Sequence, residues 1–239
     1  AVCCLSSLNL EKYDEWKDDN VMINDVMRFL DNVLTDFIER APEQFDDAKY
    51  SAEKERSVGL GVMGFHSYLQ KHSIPLESVM SKAWNKKIFK HIQEHVDQAS
   101  KDLADERGPC PDAADYGYNE RFSNKTAIAP TASISIICGG ASPGVEPVAA
   151  NSYTHKTLSG SFNVRNRYLV ELLEKHGKNT EEVWSGITTN QGSVSHLDFL
   201  TDLEKDVFKT AFELDQKWII ELSGDRTPFI SQAQSINLF

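Results

Sequence analysis

Apolar residues recur along this chain in two rhythms, and their alternation sets the expected architecture. From Val21 to Glu39, Met22, Val26, Phe29, Leu30, Val33 and Phe37 fall on one helical face, with Pro42 just beyond. A longer helix is predicted from Ser78 to Glu106, with Trp84, Ile88, Ile92, Val96, Ala99 and Leu103 as its stripe. Gly108-Pro109 stops it. Phe65–Lys71, Asn163–His176 and Thr201–Ser223 read as further helices, the last ending at Gly224. Between them lie runs that suit buried strands: residues 1–10 (AVCCLSSLNL), Arg56–Gly64 (RSVGLGVMG), Lys125–Pro130, Val148–Thr157 and Ile230–Phe239. Strands alternating with helices predict one α/β domain over residues 1–239, with five mostly parallel strands. A strand at each terminus would leave two unpaired edges for something else to cover. No internal repeat, low-complexity tract or linker interrupts the pattern.

With 239 residues and 40% hydrophobic content, the chain can bury one sizeable core. Its net charge is −11, which argues against nonspecific nucleic-acid binding or attraction to an anionic membrane. Any bound anion must therefore be held by local groups. No apolar run approaches the roughly 18 residues of a membrane helix. No basic region or cleavage signal marks a leader, and a chain that opens inside a buried strand is expected to be a fragment or one piece of a split protein. The four cysteines, Cys3, Cys4, Cys110 and Cys138, match neither a zinc site nor a secreted disulfide framework, so a reducing cytoplasm is expected. His91 and His95, four apart on a helix, lack a third ligand at metal-site spacing and read as a solvated face.

Two stretches carry candidate chemistry. In Ala127–Pro147 (AIAPTASISIICGGASPGVEP) a short strand breaks at Pro130 and Thr131-Ala132-Ser133 opens a short helix. By itself the pattern suits first an ordinary corner capped by hydroxyls, which is far the commoner feature, and second a phosphate site built on unpaired N–H groups. Adjacent Cys3 and Cys4 would point to opposite faces of a strand, and both could be small buried hydrophobes. Cys138 reads as core and Cys110 as a surface thiol.

These stretches resemble one family. Ala129-Pro130-Thr131-Ala132-Ser133, Gly144-Val145-Glu146-Pro147 and the segment Tyr153–Phe162 (YTHKTLSGSF) are similar to the large subunit of class I ribonucleotide reductase. Cys3-Cys4-Leu5-Ser6-Ser7-Leu8-Asn9-Leu10 matches that family's pattern Cys-x-Leu-Ser-x-x-Asn-Leu. The resemblance implies the second half of a ten-stranded α/β barrel. It implies that Thr131, Ala132, Ser133 and Ile134 hold the diphosphate of a ribonucleoside diphosphate. It also implies that Cys3 is one of two redox thiols, its partner lying on the first half.

By the same resemblance the chain binds no metal or cofactor itself. A separate metal-containing small subunit supplies the radical, and an external dithiol of the thioredoxin or glutaredoxin type restores the thiols. The family's radical-bearing cysteine and regulatory regions would lie before Ala1, and its paired tyrosines and C-terminal thiol pair beyond Phe239. The expected activity is therefore that of a part working with the remaining large-subunit sequence. The cobalamin-dependent reductases share a similar corner, but the Tyr153–Phe162 segment favours class I. A non-catalytic nucleotide-binding or assembly module that retains the fold is the remaining alternative.

Overall fold

The computed structural model describes residues 2–158 and 160–239. Ala1 of the predicted first strand and Ser159 of the Tyr153–Phe162 segment lie outside the described residues. Strand β1 (Cys4–Asn9) pairs in parallel with β2 (Val58–Met63), Cys4 opposite Val58 and Asn9 opposite Met63. Residues 124–128 extend the sheet beyond β2. The Val58 and Leu60 amides each donate at 2.9 Å, to the carbonyls of Asn124 and Lys125. Residues 232–235 add a fourth parallel segment, through Gln232 N to Thr126 O (3.1 Å) and Ser235 N to Ile128 O (2.9 Å). Every residue of β2 is buried, as a strand covered on both faces requires.

The expected fourth strand does not join this sheet. Ser152–Thr157 forms β3, which pairs antiparallel with β4 (Gly160–Arg165) in a separate hairpin. The predicted helix from Asn163 accordingly begins later, at Arg167, with the Asn166 side chain accepting from Tyr168 N. The expected count of five mostly parallel strands thus becomes four parallel segments and a hairpin.

The two faces of the parallel sheet differ sharply. On one, Leu8, Val58, Leu60, Val62 and Ile128 enter the main core with the helices Met22–Arg40 and Val79–Arg107. On the other, Gly59 and Gly61 present no side chain. A Cβ on Gly59 would lie 2.5 Å from Leu5 Cδ2 and 3.0 Å from Ala127 Cβ, and one on Gly61 would lie 2.3 Å from the Ala127 carbonyl oxygen. These glycines allow the backbones to approach and leave this face nearly bare.

The long helix follows expectation. Ser78 caps it by accepting from Ser81 N at 3.1 Å, Gly108 ends it at φ +85°, and Ile88, Ile92, Val96, Ala99 and Leu103 are buried. The helix Met22–Arg40 is rotated by about one position from its predicted stripe. Ile23, Met27, Leu30 and Leu34 are inside, whereas Phe29 is 61% exposed. Asp31 explains the choice. It lies fully buried on the inner face and receives Arg56, Arg107 and Arg121 at 2.6–2.9 Å. A carboxylate with three such partners fixes the helix orientation that an apolar count alone leaves ambiguous.

The predicted helix Thr201–Ser223 is two helices, Asp202–Val207 and Gln216–Arg226. Glu213 takes both the amide and the hydroxyl of Thr210, and Asp215 restarts the helix by accepting from Lys217 N at 3.0 Å. Leu169, Leu173, Trp184, Ile187, Val207 and Phe208 form a second apolar cluster under this part of the chain.

Candidate functional site

The corner after residue 128 is strained and clamped. Thr131 has φ +53°, a left-handed conformation unfavourable for a β-branched residue. Its Oγ1 accepts from the Gly144 amide at 2.7 Å, and its carbonyl accepts from Ser135 N at 3.0 Å. Gly144 itself has φ +47°, and a Cβ there would lie 3.0 Å from the Ala129 carbonyl oxygen. The far end of the loop is tied as firmly. Ser67 and Ser142 exchange amide-to-hydroxyl bonds of 3.2 and 2.9 Å, and Gly64 N donates to Ser142 O at 2.7 Å.

What the corner offers to solvent is backbone. The helix Ile134–Ile137 is a single turn whose N-cap, Ser133, makes no side-chain capping bond. Among the described hydrogen bonds, the amides of Ala132, Ser133 and Ile134 donate to no protein acceptor, and all three residues are exposed. The expected hydroxyl caps are absent because Thr131 turns its hydroxyl inward to Gly144. The left-handed Thr131 and the right-handed Ser133 flank Ala132, and the amides of this exposed turn are a backbone surface suited to an anion.

Cys3 and Cys4 face opposite ways, as their alternation demands. Cys4 packs against the core, and burial pushes its thiol up from the ordinary range, with Cys3 adding to the effect. Cys3 lies on the bare face. Its Sγ would sit 3.2 Å from a Cβ on Gly59, and it receives Gln232 Nε2 at 3.4 Å. Ser6, Leu60 and Thr126 are level across the sheet, so Cys3 and the corner lie toward opposite ends of the parallel strands. The glycine-lined face runs between them. The corner residues are contiguous, but Cys3 is not brought into contact with them.

A cavity of about 490 Å³ opens beside the corner, with Ala132, Ser135, Ile136, Tyr153, Val164 and Arg167 among its walls. On its margin the Tyr168 hydroxyl donates to Glu11 Oε1 at 3.0 Å; burial and that carboxylate both raise the phenol's pKa. Cys3 does not border this space. The expected roles of the other cysteines are reversed. Cys110 is fully buried where the chain enters the helical turn Pro111–Asp115, and Cys138 is exposed at the end of the corner helix. His91 is not simply solvated; its Nδ1 lies 3.1 Å from the Tyr13 hydroxyl, and burial lowers its pKa. No group of three metal-ligating side chains occurs among the described residues. None of their helices is long and apolar enough to cross a membrane.

The family model for the ribonucleotide reductase barrel domain matches residues 1–121 and 112–239. The chain belongs to this family. It is 51% identical over 243 residues to the ribonucleoside-diphosphate reductase large subunit of Invertebrate iridescent virus 6, covering all of this chain and 25% of that protein. It is 29% identical over 270 residues to the large subunit of Caenorhabditis elegans, again over its whole length and 34% of the relative. The alpha subunit of the Actinobacillus ureae class Id ribonucleotide reductase superposes with TM-score 0.92 at 42% identity, over 100% of this chain and 44% of that one. The chain thus spans between a quarter and under half of the length of these relatives.

The sequence points to Cys3 and the corner but not to the residues that support them. Gln232 is 229 positions from Cys3, and nothing local marks it. The positive φ of Thr131 is equally hidden, since its side chain is held by a bond from Gly144, 13 residues on.

Proposed function

We propose that this chain is the C-terminal half of the catalytic barrel of a ribonucleoside-diphosphate reductase, folded as one domain over residues 1–239. The observation that carries this reading is the clamped corner: a left-handed Thr131 beneath three exposed, unpaired amides at the end of a parallel strand. Strained backbone of this kind persists only where the surroundings enforce it, and it concentrates at ligand sites. The amides of Ala132, Ser133 and Ile134, with the Ser133 hydroxyl, receive the diphosphate of a ribonucleoside diphosphate. In a chain of net charge −11, that local recognition takes the place of a basic surface.

Cys3 stands on the bare face as one of two reducing thiols, its partner on the first half of the barrel. Replacing the ribose 2′-hydroxyl by hydrogen consumes two electrons and two protons and releases water. The two thiols supply both and close to a disulfide. A metal-containing small subunit supplies the initiating radical, and an external dithiol of the thioredoxin or glutaredoxin type reopens the disulfide by exchange. Leu5, 56% exposed beside Cys3, and the edge of β1, unpaired among the described residues, fit a sheet completed by the other half into ten strands. The site of action is the cytoplasm.

The test is reconstitution. Mixed with the remaining large-subunit sequence and a small subunit, the chain should support deoxynucleotide formation from a ribonucleoside diphosphate. Nucleotide binding without any turnover in a complete assembly would favour a non-catalytic module instead.

A further inference from the structure

The Gln232 side chain reaches back over the start of the sheet and ends between two acceptors. Its Nε2 lies 2.9 Å from the Val58 carbonyl oxygen and 3.4 Å from Cys3 Sγ. The carbonyl can only accept, so the atom facing it must be the amide nitrogen, which fixes the orientation of the carboxamide. One N–H then points at Val58 and the other at the sulfur. The Gln232 backbone is itself anchored, its N donating to Thr126 O at 3.1 Å. The sulfur and Leu5 Cδ2 lie over Gly59, in space that any side chain there would take from them. The half-buried thiol is therefore held between a fixed donor and the Gly59 backbone, with the Cys4 carbonyl 4.0 Å from the sulfur.

We propose that Gln232 is the positioning residue for Cys3. Its N–H selects one rotamer of the thiol and stabilises the thiolate when Cys3 gives up its proton, the form in which a thiol attacks. This assignment rests on the reading of Cys3 as a redox thiol, yet it concerns the reactivity of the sulfur and can be examined without turnover.

The experiment is alkylation of the full 239-residue chain by iodoacetamide, with rates resolved by peptide mass spectrometry for Cys3 and for exposed Cys138 as an internal reference. In this reaction the Cys3 thiolate forms an S–C bond, iodide leaves, and the thiol proton passes to solvent. Gln232→Leu keeps the bulk and removes the donor. It should slow Cys3 near neutral pH by roughly tenfold, the value of one hydrogen bond to a charged group. Gln232→Glu should slow it further, since a carboxylate repels the thiolate. Both deficits should shrink as pH rises, and at each pH Cys138 should react at the same rate in every variant. An unchanged or faster Cys3, a deficit equal at all pH values, or a parallel loss at Cys138 would each overturn the assignment. Should Gln232→Leu lose its fold by circular dichroism, Gln232→Glu, which retains polarity and length, decides the matter by the same rates. The redox reading fails separately, if Cys3→Ser sustains turnover in the assembled enzyme.

Discussion

Thr131 accepts a 2.7 Å hydrogen bond from the Gly144 amide, and this contact joins the strand end to the loop that returns behind it. Both residues are buried and both have positive φ. The bond thus stabilises a conformation that Thr131 would not adopt unaided.

Two substitutions separate the bond from the strain. Thr131→Ala leaves the buried Gly144 N–H without its acceptor and should lower stability by about 1–3 kcal/mol. Thr131→Gly loses the same acceptor but relieves the left-handed backbone, so it should exceed the alanine variant by about 1 kcal/mol. Urea unfolding of both variants decides it. An alanine variant as stable as the glycine one would show that residue 131 is not held left-handed.

An acid-sensitive joint lies under the same loop. His66 is buried, its Nδ1 accepts from Val148 N at 3.0 Å, and burial lowers its pKa to about 4. The folded pKa lies below the unfolded value, so the stabilising contribution is complete above the ordinary histidine range. It is lost as pH falls from about 6.5 toward 4. The expected loss between about pH 7 and pH 5 is on the order of 2 kcal/mol. His66→Asn, which keeps an acceptor and cannot titrate there, should flatten this slope. Urea midpoints measured across that range would show equal slopes if His66 were not responsible.

Local signals in the sequence suffice where one element's own residues decide its form. The long helix has both its cap at Ser78 and its stop at Gly108 in the sequence. The glycine-rich run of β2 likewise announces a strand buried on both faces. Expectation and structure part where distant partners decide. The helix Met22–Arg40 carries apolar residues on two faces, and only the arginines at 56, 107 and 121 select the one beside Asp31. Val148–Thr157 has strand character, but its partner is the adjacent β4, to which it turns back. At the site, residue types are legible in the sequence and geometry is not. A motif marks Cys3, whereas only a contact across the sheet marks its donor Gln232.

The thiols should separate cleanly in function. Cys3 lies on the glycine face and Cys4 packs into the core. In the assembled enzyme Cys3→Ser should abolish sustained turnover, because a hydroxyl cannot close the disulfide. Cys4→Ser should retain it, with at most a modest loss of stability from placing a hydroxyl against apolar neighbours. Steady-state deoxynucleotide production by the two variants is the measurement. A dead Cys4→Ser enzyme beside an active Cys3→Ser one would shift the reducing thiol by one residue and onto the wrong face of β1.

The corner itself can be examined at Ala132, which is exposed and whose amide has no protein acceptor among the described hydrogen bonds. Ala132→Pro removes that N–H without breaking an internal bond. It also disfavours the helical and left-handed geometry of the preceding residue, so it loosens the cradle that Thr131 supports. Ala132→Ser keeps the N–H and adds only a small hydroxyl. A hydrogen bond to a charged group is worth roughly 1.5–3 kcal/mol, so the proline variant should bind ribonucleoside diphosphate at least roughly tenfold more weakly than the serine variant. Nucleotide affinity of the assembled enzyme, with circular dichroism to confirm folding, is the comparison to make. Equal affinities would mean that the diphosphate is held elsewhere, and the strained Thr131 would then have no ligand to explain it.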